Sequence, residues 1–205
     1  MLIVEHRVNT ISGLKNVAPE HGVEIDMRHD TRNDRLYLSH DVLVGEKLNA
    51  TDDLDSYMAN FHHAFVVFNV KEAGIEQRCI NLAAKYGIPK SKYFLLDVEF
   101  PYLYRASRKE GVREIAVRYS EAEPIEMTLA QKGLVDWVWI DTNTTLPLDK
   151  ATVEKLGGFK TCLVGPDRWS RPNDTIPYLQ KIKEFGLPLT AIMVGKEYVH
   201  LCEGF

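Results

Sequence analysis

The chain has 205 residues, of which 45% are hydrophobic and 26% charged, and its formal net charge at pH 7 is −4. These values are ordinary for a globular protein and give no reason to expect a nucleic acid or an anionic membrane as the main partner. No apolar run approaches the roughly 18 residues that a membrane-spanning helix needs, so we expect no stable membrane insertion.

Three cysteines, Cys79, Cys162 and Cys202, lie far apart in the sequence and form no CxxC pair. This pattern argues against a disulfide framework or a zinc site and fits a reducing compartment. The first residues, MLIVEHR, lack the basic region, apolar core and cleavage site of a signal peptide. We therefore expect a cytoplasmic protein with a single domain over residues 1–205, while the sequence leaves the oligomeric state open.

Short apolar runs alternate with amphipathic, helix-like segments along the whole chain. The runs are LIVEH (2–6), GVEIDMR (22–28), LYLSH (36–40), AFVVFNV (64–70), YFLLDV (93–98), EIAVRY (114–119), DWVWID (136–141), KTCLVG (160–165) and TAIMVG (190–195). Near-continuous apolar runs that alternate with helices are typical of parallel strands that are buried on both faces. LYLSH follows GVEIDMR after only a short polar stretch, which suits a hairpin-like extension or a return of the same strand.

The other eight runs predict an α/β fold, a (β/α)8 TIM-type barrel. A chain of 205 residues is at the small end for this fold, so the barrel must be compact and its loops short. A doubly wound open sheet is the alternative, and it is disfavoured because no GxGxxG motif or P-loop follows any run. Active sites of such barrels lie at the C-terminal ends of the strands, and here nearly every predicted strand ends in ionisable side chains.

The strand ends in the first third of the chain carry the clearest chemical pattern. Alternate residues of a strand share a face, so GVEIDMR places Glu24, Asp26 and Arg28 on the same side. Two carboxylates at this spacing repel each other unless a positive group lies between them, either Arg28 with solvent or a metal ion. The four motifs in chain order are His6-Arg7 with Asn9-Thr10, Glu24-Ile-Asp26, Ser39-His40-Asp41 and Asn69-Val-Lys71.

In this order at successive strand ends, the four motifs resemble the glycerophosphodiester phosphodiesterase family, which belongs to the phosphatidylinositol-phospholipase-C-like barrels. The later strands agree with that family only in the alternation of strand-like runs with helix-like segments. The resemblance implies a metal-dependent phosphodiester hydrolase that acts on a small-molecule glycerophosphodiester. It makes His6 and His40 the catalytic acid and base, a role that suits histidine because its ordinary pKa is about 6.5.

The resemblance also implies a cation site and a phosphate site. Glu24, Asp26 and Asn69 would hold one divalent cation, Mg²⁺ or Ca²⁺, because hard cations prefer oxygen ligands. Arg7 and Lys71 would bind the phosphate oxygens of the substrate.

Two departures from the family pattern keep other functions open. Family members usually have a carboxylate where this chain has Asn69, whose amide oxygen can coordinate but carries no charge; Asp97 or Glu99 are candidates to compensate. The segment after His40 also lacks the usual insertion, which helps to shape substrate choice. The alternatives are a phosphodiesterase of a nucleotide-sugar, polyol-phosphate or lipid headgroup, and a catalytically weak or inactive barrel that binds a phosphorylated ligand.

Several of these residues also have a purely structural interpretation. Lys71 can form a salt bridge with Glu24 or Asp26, since a buried ammonium group needs a partner. Trp137 and Trp139 share one face of a strand, which is typical of packing more often than of a ligand platform. Arg168, just past a strand end, is a further candidate for ligand contact.

Overall fold

The computed structural model describes all 205 residues, and nine strands form its single sheet. The strands are β1 (Leu2–Glu5), β2 (Gly22–Asp30), β3 (Arg35–Leu38), β4 (Phe65–Val70), β5 (Tyr93–Leu96), β6 (Ala116–Tyr119), β7 (Trp137–Ile140), β8 (Lys160–Val164) and β9 (Ala191–Val194). Eight of them run parallel in the order β5-β4-β2-β1-β9-β8-β7-β6. One bridge, between Leu95 and Ile115, joins the two ends. The sheet is therefore a nearly closed barrel, and the predicted (β/α)8 fold is confirmed.

Helices alternate with the strands on the outside of the barrel, and most of them are short. They are α1 (Ile11–Leu14), α2 (Gly45–Asn49), α3 (Leu54–Ala59), α4 (Glu76–Lys85), α5 (Phe100–Arg105), α6 (Ile125–Leu129), α7 (Lys150–Leu156) and α8 (Thr175–Phe185). The two longest, α4 and α8, are each followed by a glycine with a positive φ, Gly87 and Gly186, where a left-handed residue ends the helix. None of the helices combines the length and the apolar character needed to cross a membrane.

The extra apolar run forms β3, which pairs antiparallel with the second half of β2 in the register Met27 to Leu38. This confirms the hairpin-like extension that the sequence predicts. Because β2 continues past the barrel wall, β3 turns the chain back toward the mouth. The segment that carries His40 therefore begins directly beside the strand that carries Glu24 and Asp26.

Alternate strand residues point into the barrel and fill it with side chains. Four aromatic rings, those of Phe65, Phe94, Trp137 and Trp139, pack there with ring centroids 4.8 to 6.2 Å apart. Both tryptophans are buried in this inner core, so their structural interpretation as packing residues is the right one. A separate, larger apolar layer fills the space between the sheet and the helices.

The inward register of each strand continues beyond the apolar core and brings a polar residue to the mouth of the barrel. The continuation leads from Val4 to His6, from Gly22 to Glu24 and Asp26, from Val67 to Asn69 and Lys71, from Ala116 to Arg118, and from Trp139 to Asp141. The period of two along a strand therefore gathers these side chains above one core.

Candidate active site

Glu24 and Asp26 lie side by side at the mouth of the barrel and are buried, with exposures of 1% and 0%. The neighbouring strand β4 presents Asn69 directly beside Asp26, in the register Asp26 to Asn69. The structure thus brings together the three residues that the sequence predicts as cation ligands.

Asp26 is held in place by one side chain that receives no role from sequence analysis. The Nδ2 group of Asn9 donates a hydrogen bond to Asp26 Oδ2 at 2.8 Å, and the backbone N–H of Asp26 donates to Asn9 Oδ1 at 2.8 Å. On the other side, Lys71 Nζ lies 3.2 Å from Asp26 Oδ1. Asn9 therefore fixes both the backbone and the carboxylate of Asp26, and Lys71 has the ion-pair partner that its structural interpretation requires.

Glu24 accepts two hydrogen bonds from neutral donors. The backbone N–H of Arg7 donates to Oε2 at 2.8 Å, and Asn69 Nδ2 donates to Oε1 at 2.7 Å. Arg7 adopts a positive φ of 54°, which turns its N–H toward the carboxylate although such a conformation is uncommon for a residue with a side chain. Burial and the charge of Asp26 nevertheless raise the pKa of Glu24 to about 7, although the nearby Lys71 acts in the opposite direction.

His6 lies at the edge of this pair, with its Nε2 atom 3.9 Å from Glu24 Oε2. Burial, together with the charges of Arg168, Arg7 and Lys71, lowers the pKa of His6 to about 3. The ring is therefore neutral at pH 7, with a lone pair on one of its two nitrogens.

His40 follows β3 on a loop, and its side chain is 44% exposed. Its Nδ1 atom is 2.8 Å from Asp41 Oδ1, and its backbone carbonyl accepts hydrogen bonds from Arg28 at 2.9 and 3.2 Å. Arg28 in turn pairs with Glu72 at 3.1 Å rather than with Asp26. Electrostatic repulsion from His40 is the smallest of the causes that lower the pKa of His6.

A chain of alternating charges continues from Lys71 across the mouth. Lys71 Nζ lies 3.6 Å from Asp97 Oδ2, and Arg118 pairs with both Asp97 and Asp141. Asp97 thus pairs with Lys71 and Arg118 instead of joining Glu24 and Asp26. Arg118 and Asp141 each lie two positions beyond a residue that faces the inner core, Ala116 in β6 and Trp139 in β7. This alternation along the strands is the sequence signal that places them at the mouth.

Arg168 is the third cation near the carboxylate pair and lies in a short 3₁₀ segment, Pro166–Trp169, after β8. Burial and the charge of Arg7 lower the pKa of Arg168, while Glu24 and Asp26 act in the opposite direction. Arg168, which the sequence suggests as a residue for ligand contact, therefore lies at the mouth, next to Arg7 and His6.

The chemistry of the oxygens around Glu24 and Asp26 fits a hard divalent cation. The chain contains no group of three His, Cys, Asp or Glu side chains arranged to hold a metal ion, so the amide oxygen of Asn69 is needed to complete the set. Asn69 Oδ1 is buried and has no hydrogen-bond partner, and Asp26 Oδ1 has no hydrogen bond beyond its ion pair with Lys71. Buried oxygens without partners are costly and call for a ligand, and carboxylate and amide oxygens are the donors that Mg²⁺ and Ca²⁺ prefer.

Two of the solved structures that are similar to this chain are phosphodiesterases. One is a glycerophosphoryl diester phosphodiesterase from Parabacteroides distasonis, with a TM-score of 0.66 and 12% identity, over 98% of this chain and 85% of the other. The second is a phosphodiesterase from Oleispira antarctica in complex with the product sn-glycerol-3-phosphate, with a TM-score of 0.57 and 14% identity, over 94% of this chain and 92% of the other. The chain has the fold of these phosphodiesterases.

No family model matches the chain, and no curated protein matches it. The similarity to the two solved structures extends over nearly the whole chain and includes the strands whose ends form the candidate site.

Proposed function

We propose that this chain is a divalent-cation-dependent phosphodiesterase that hydrolyses a small-molecule phosphodiester of the glycerophosphodiester type. The observation that carries the proposal is the pair of buried carboxylates, Glu24 and Asp26, at a barrel mouth that also holds His6 and several cationic side chains. The shared fold of two phosphodiesterases supports the same conclusion.

The phosphate of the substrate is bound by Arg7 and Lys71 at the edge of the carboxylate pair. Arg7 lies 4.0 Å from Asp26 through its Nε atom and is 42% exposed, so its guanidinium can be shared with an incoming anion. Lys71 lies between Asp26 and Asp97 and supplies a second positive charge. A guanidinium binds two phosphate oxygens as a fork, whereas an ammonium acts as a point charge.

Glu24, Asp26 and Asn69 are the residues that would hold the cation. When bound there, a divalent cation supplies positive charge that offsets the negative charge that builds up on the phosphoryl oxygens during the reaction. Lys71 and Arg7 stabilise the same developing charge from the protein side.

Two histidines move the protons in this proposal. Neutral His6 accepts the proton of the attacking oxygen, which belongs to water or to a neighbouring hydroxyl of the substrate, as the new P–O bond forms. His40 donates a proton to the oxygen of the leaving alcohol as the old P–O bond breaks, with Asp41 on Nδ1 orienting its ring. Water as nucleophile gives an alcohol and a phosphomonoester; a substrate hydroxyl gives a cyclic phosphate first.

The second candidate function is a barrel that binds a phosphorylated ligand without turnover. Asn69 favours it, because the cation site then has two carboxylates instead of three and no cluster of three acidic or imidazole ligands exists in the chain. Such a protein would bind inorganic phosphate or glycerol phosphate at the mouth and leave every phosphodiester intact.

Hydrolysis of two phosphodiesters that differ in leaving group tests the proposal. The substrates are bis(p-nitrophenyl) phosphate and a glycerophosphodiester, each with Mg²⁺, Ca²⁺, Mn²⁺ or EDTA. We expect His6→Ala to lower the rate about 100-fold or more on both substrates. We expect His40→Ala to do so mainly on the glycerophosphodiester, since p-nitrophenolate leaves without a proton.

The exposed residue His200, outside the mouth, provides the matched control His200→Ala, which should keep full activity. Phosphate binding without turnover under any metal condition would favour the binding barrel. Equal turnover with EDTA and with metal would contradict the cation dependence.

A further inference from the structure

A cavity adjoins the candidate active site at the seam where the barrel closes. It has a volume of about 520 Å³, which is within the range of small-molecule binding sites. Apolar side chains form most of its walls, namely Val98, Phe100, Leu103, Val117, Pro124 and Met127. The charged side chains of its lining are Asp97, Arg118 and Glu123. Asp97 and Arg118 pair with each other at the end of the cavity nearest Lys71, and Glu123 accepts a hydrogen bond from Ser120. We name this cavity the seam groove.

The seam groove exists because β5 and β6 are the two ends of the sheet. They are joined by the single bridge between Leu95 and Ile115 and form no ladder toward the mouth. Beyond that bridge the chain continues on one side through Leu96–Val98 and on the other through Ala116–Arg118. The space between them is flanked by α5 and α6, which leave it open to solvent instead of filling it.

The groove presents large apolar side chains to solvent on both sides. Phe100, from α5, is 55% exposed and Met127, from α6, is 61% exposed. Scattered single apolar residues on a surface are normal, but apolar side chains that converge on one concave site are typical of ligand recognition. The two residues face one groove from different helices, so they suit an elongated apolar ligand.

The groove is continuous with the residues that bind phosphate in the proposed function. Asp97 and Arg118 line the groove and also pair with each other, and Asp97 lies 3.6 Å from Lys71. A ligand whose phosphate is bound by Lys71 can therefore extend past the Asp97–Arg118 pair into the apolar part of the groove. No comparable apolar path leads from Lys71 toward Asp26 and His6, where the lining is charged.

We propose that the seam groove binds the apolar chain of the substrate, so that the preferred substrate is a phosphodiester with a single alkyl or acyl chain. This inference rests on the proposed function, because it assumes that the phosphate is bound at the mouth. It narrows the substrate class from water-soluble glycerophosphodiesters to chain-bearing ones. A second copy of this chain is the competing occupant and is an outcome of the test.

Binding of a series of alkyl phosphates tests the groove without any need for turnover. Inorganic phosphate, butyl phosphate, hexyl phosphate and octyl phosphate are titrated calorimetrically into the wild-type protein. Each methylene that leaves water should raise the affinity about two- to fourfold. The affinity of inorganic phosphate gives the contribution of the mouth alone.

Met127→Asp and Phe100→Asp change exposed side chains, so both variants are expected to fold. Each should abolish the increase of affinity with chain length and leave the binding of inorganic phosphate in place. Ile176, which is 40% exposed on α8, provides the matched control Ile176→Asp, which should behave as the wild type.

The outcomes separate the groove from the proposed function. Affinity that does not depend on chain length overturns the inference, whether or not phosphodiesters are hydrolysed. Affinity that grows with chain length without turnover of any phosphodiester supports the groove and refutes the proposed hydrolysis. If light scattering shows a dimer that Met127→Asp converts to a monomer, the groove is a contact between copies and the inference is wrong.

Discussion

In the proposed cation site, Asn69 sets how much negative charge the barrel mouth offers to a cation. Its side chain lies beside two buried carboxylates and donates a hydrogen bond to Glu24 at 2.7 Å, while its own Oδ1 has no partner. A carboxylate at this position would add charge for a cation but would lose the hydrogen bond. Compared with a carboxylate, Asn69 therefore lowers the affinity for a cation and raises the stability of the cation-free protein.

The variant Asn69→Asp tests this balance. We expect it to bind Mg²⁺ or Ca²⁺ at least about tenfold more tightly, because a third carboxylate joins the ligand set. Without a cation the melting temperature should fall, since a buried negative charge then lies beside Glu24 and Asp26. Calorimetric titration and thermal unfolding with and without EDTA measure both effects. An unchanged cation affinity would place the cation elsewhere.

The raised pKa of Glu24 makes the stability of the cation-free protein depend on pH. Its pKa moves from 4.5 to about 7 on folding, because of burial and the charge of Asp26. The folded state then binds more protons than the unfolded state, so this contribution falls as the pH rises from about 4.5 to about 7. A shift of that size corresponds to a loss of up to about 3 kcal/mol.

Urea unfolding of the wild type and of Glu24→Gln in EDTA, at several pH values from 4 to 8, measures this contribution. Because both proteins contain the other titrating groups, His6 included, their contributions to the pH dependence cancel in the difference between the two unfolding free energies. We expect the difference to shift in favour of Glu24→Gln as the pH rises. A difference independent of pH would mean that folding leaves the pKa of Glu24 unchanged.

Sequence reasoning succeeded for residues whose position follows from the period of a strand and failed for residues whose role depends on the fold. The alternation of GVEIDMR predicts that Glu24 and Asp26 share a face, and they do. Asn9 lies 17 positions before Asp26, and nothing in the local pattern reveals its two hydrogen bonds to that residue. Likewise, Arg28 is on the predicted face but pairs with Glu72, which follows a different strand.

At the scale of elements, the start of β2 determines how closely it packs against β4. A Cβ atom at Gly22 would lie 2.9 Å from the Cβ of Phe65 and 3.2 Å from Val4 Cγ2. Because Gly22 has no side chain, β2 can pack closely against Phe65 and Val4. This close packing sets the position of β2 along the barrel, and with it the position of Glu24 and Asp26 at the mouth.

We expect Gly22→Ala to lower the unfolding free energy by about 1 to 3 kcal/mol, because it overpacks a filled core. Gly87 has a positive φ of 68° and open space around it, so Gly87→Asn, which tolerates that conformation, is the control and should cost less than about 1 kcal/mol. Chemical unfolding measures both variants. Equal stability of Gly22→Ala and the wild type would show that β2 can move without penalty.

The strands and the two longest helices were largely predictable, because apolar runs mark the strands and glycines mark the ends of these helices. The nine runs correspond to nine strands, and the surplus run is the antiparallel β3. The short helices were harder to predict, because segments such as ISGLKNVAPEH form only four helical residues, Ile11–Leu14, and then leave the helix. A short connection between parallel strands needs few helical turns, and tertiary packing sets where the helix stops.

At the scale of the whole molecule, the way in which the barrel closes explains the seam groove beside the candidate active site. Seven of the eight seams between parallel strands are ladders, and the eighth is a single bridge. No sequence pattern marks that weak seam, because β5 and β6 have ordinary apolar runs. A chain of alternating charges crosses the mouth next to this seam. It runs from Asp26 through Lys71, Asp97 and Arg118 to Asp141.

We propose that a phosphodiester is cleaved at the mouth of the barrel, around Glu24 and Asp26. The most direct measurement follows a glycerophosphodiester by phosphorus NMR with the wild type and with Glu24→Gln, each in Mg²⁺, Ca²⁺ or EDTA. We predict that a phosphomonoester or cyclic phosphate signal grows with the wild type and a divalent cation, and is about 100-fold slower or absent with EDTA or with Glu24→Gln. Hydrolysis by Glu24→Gln at the wild-type rate would contradict the account.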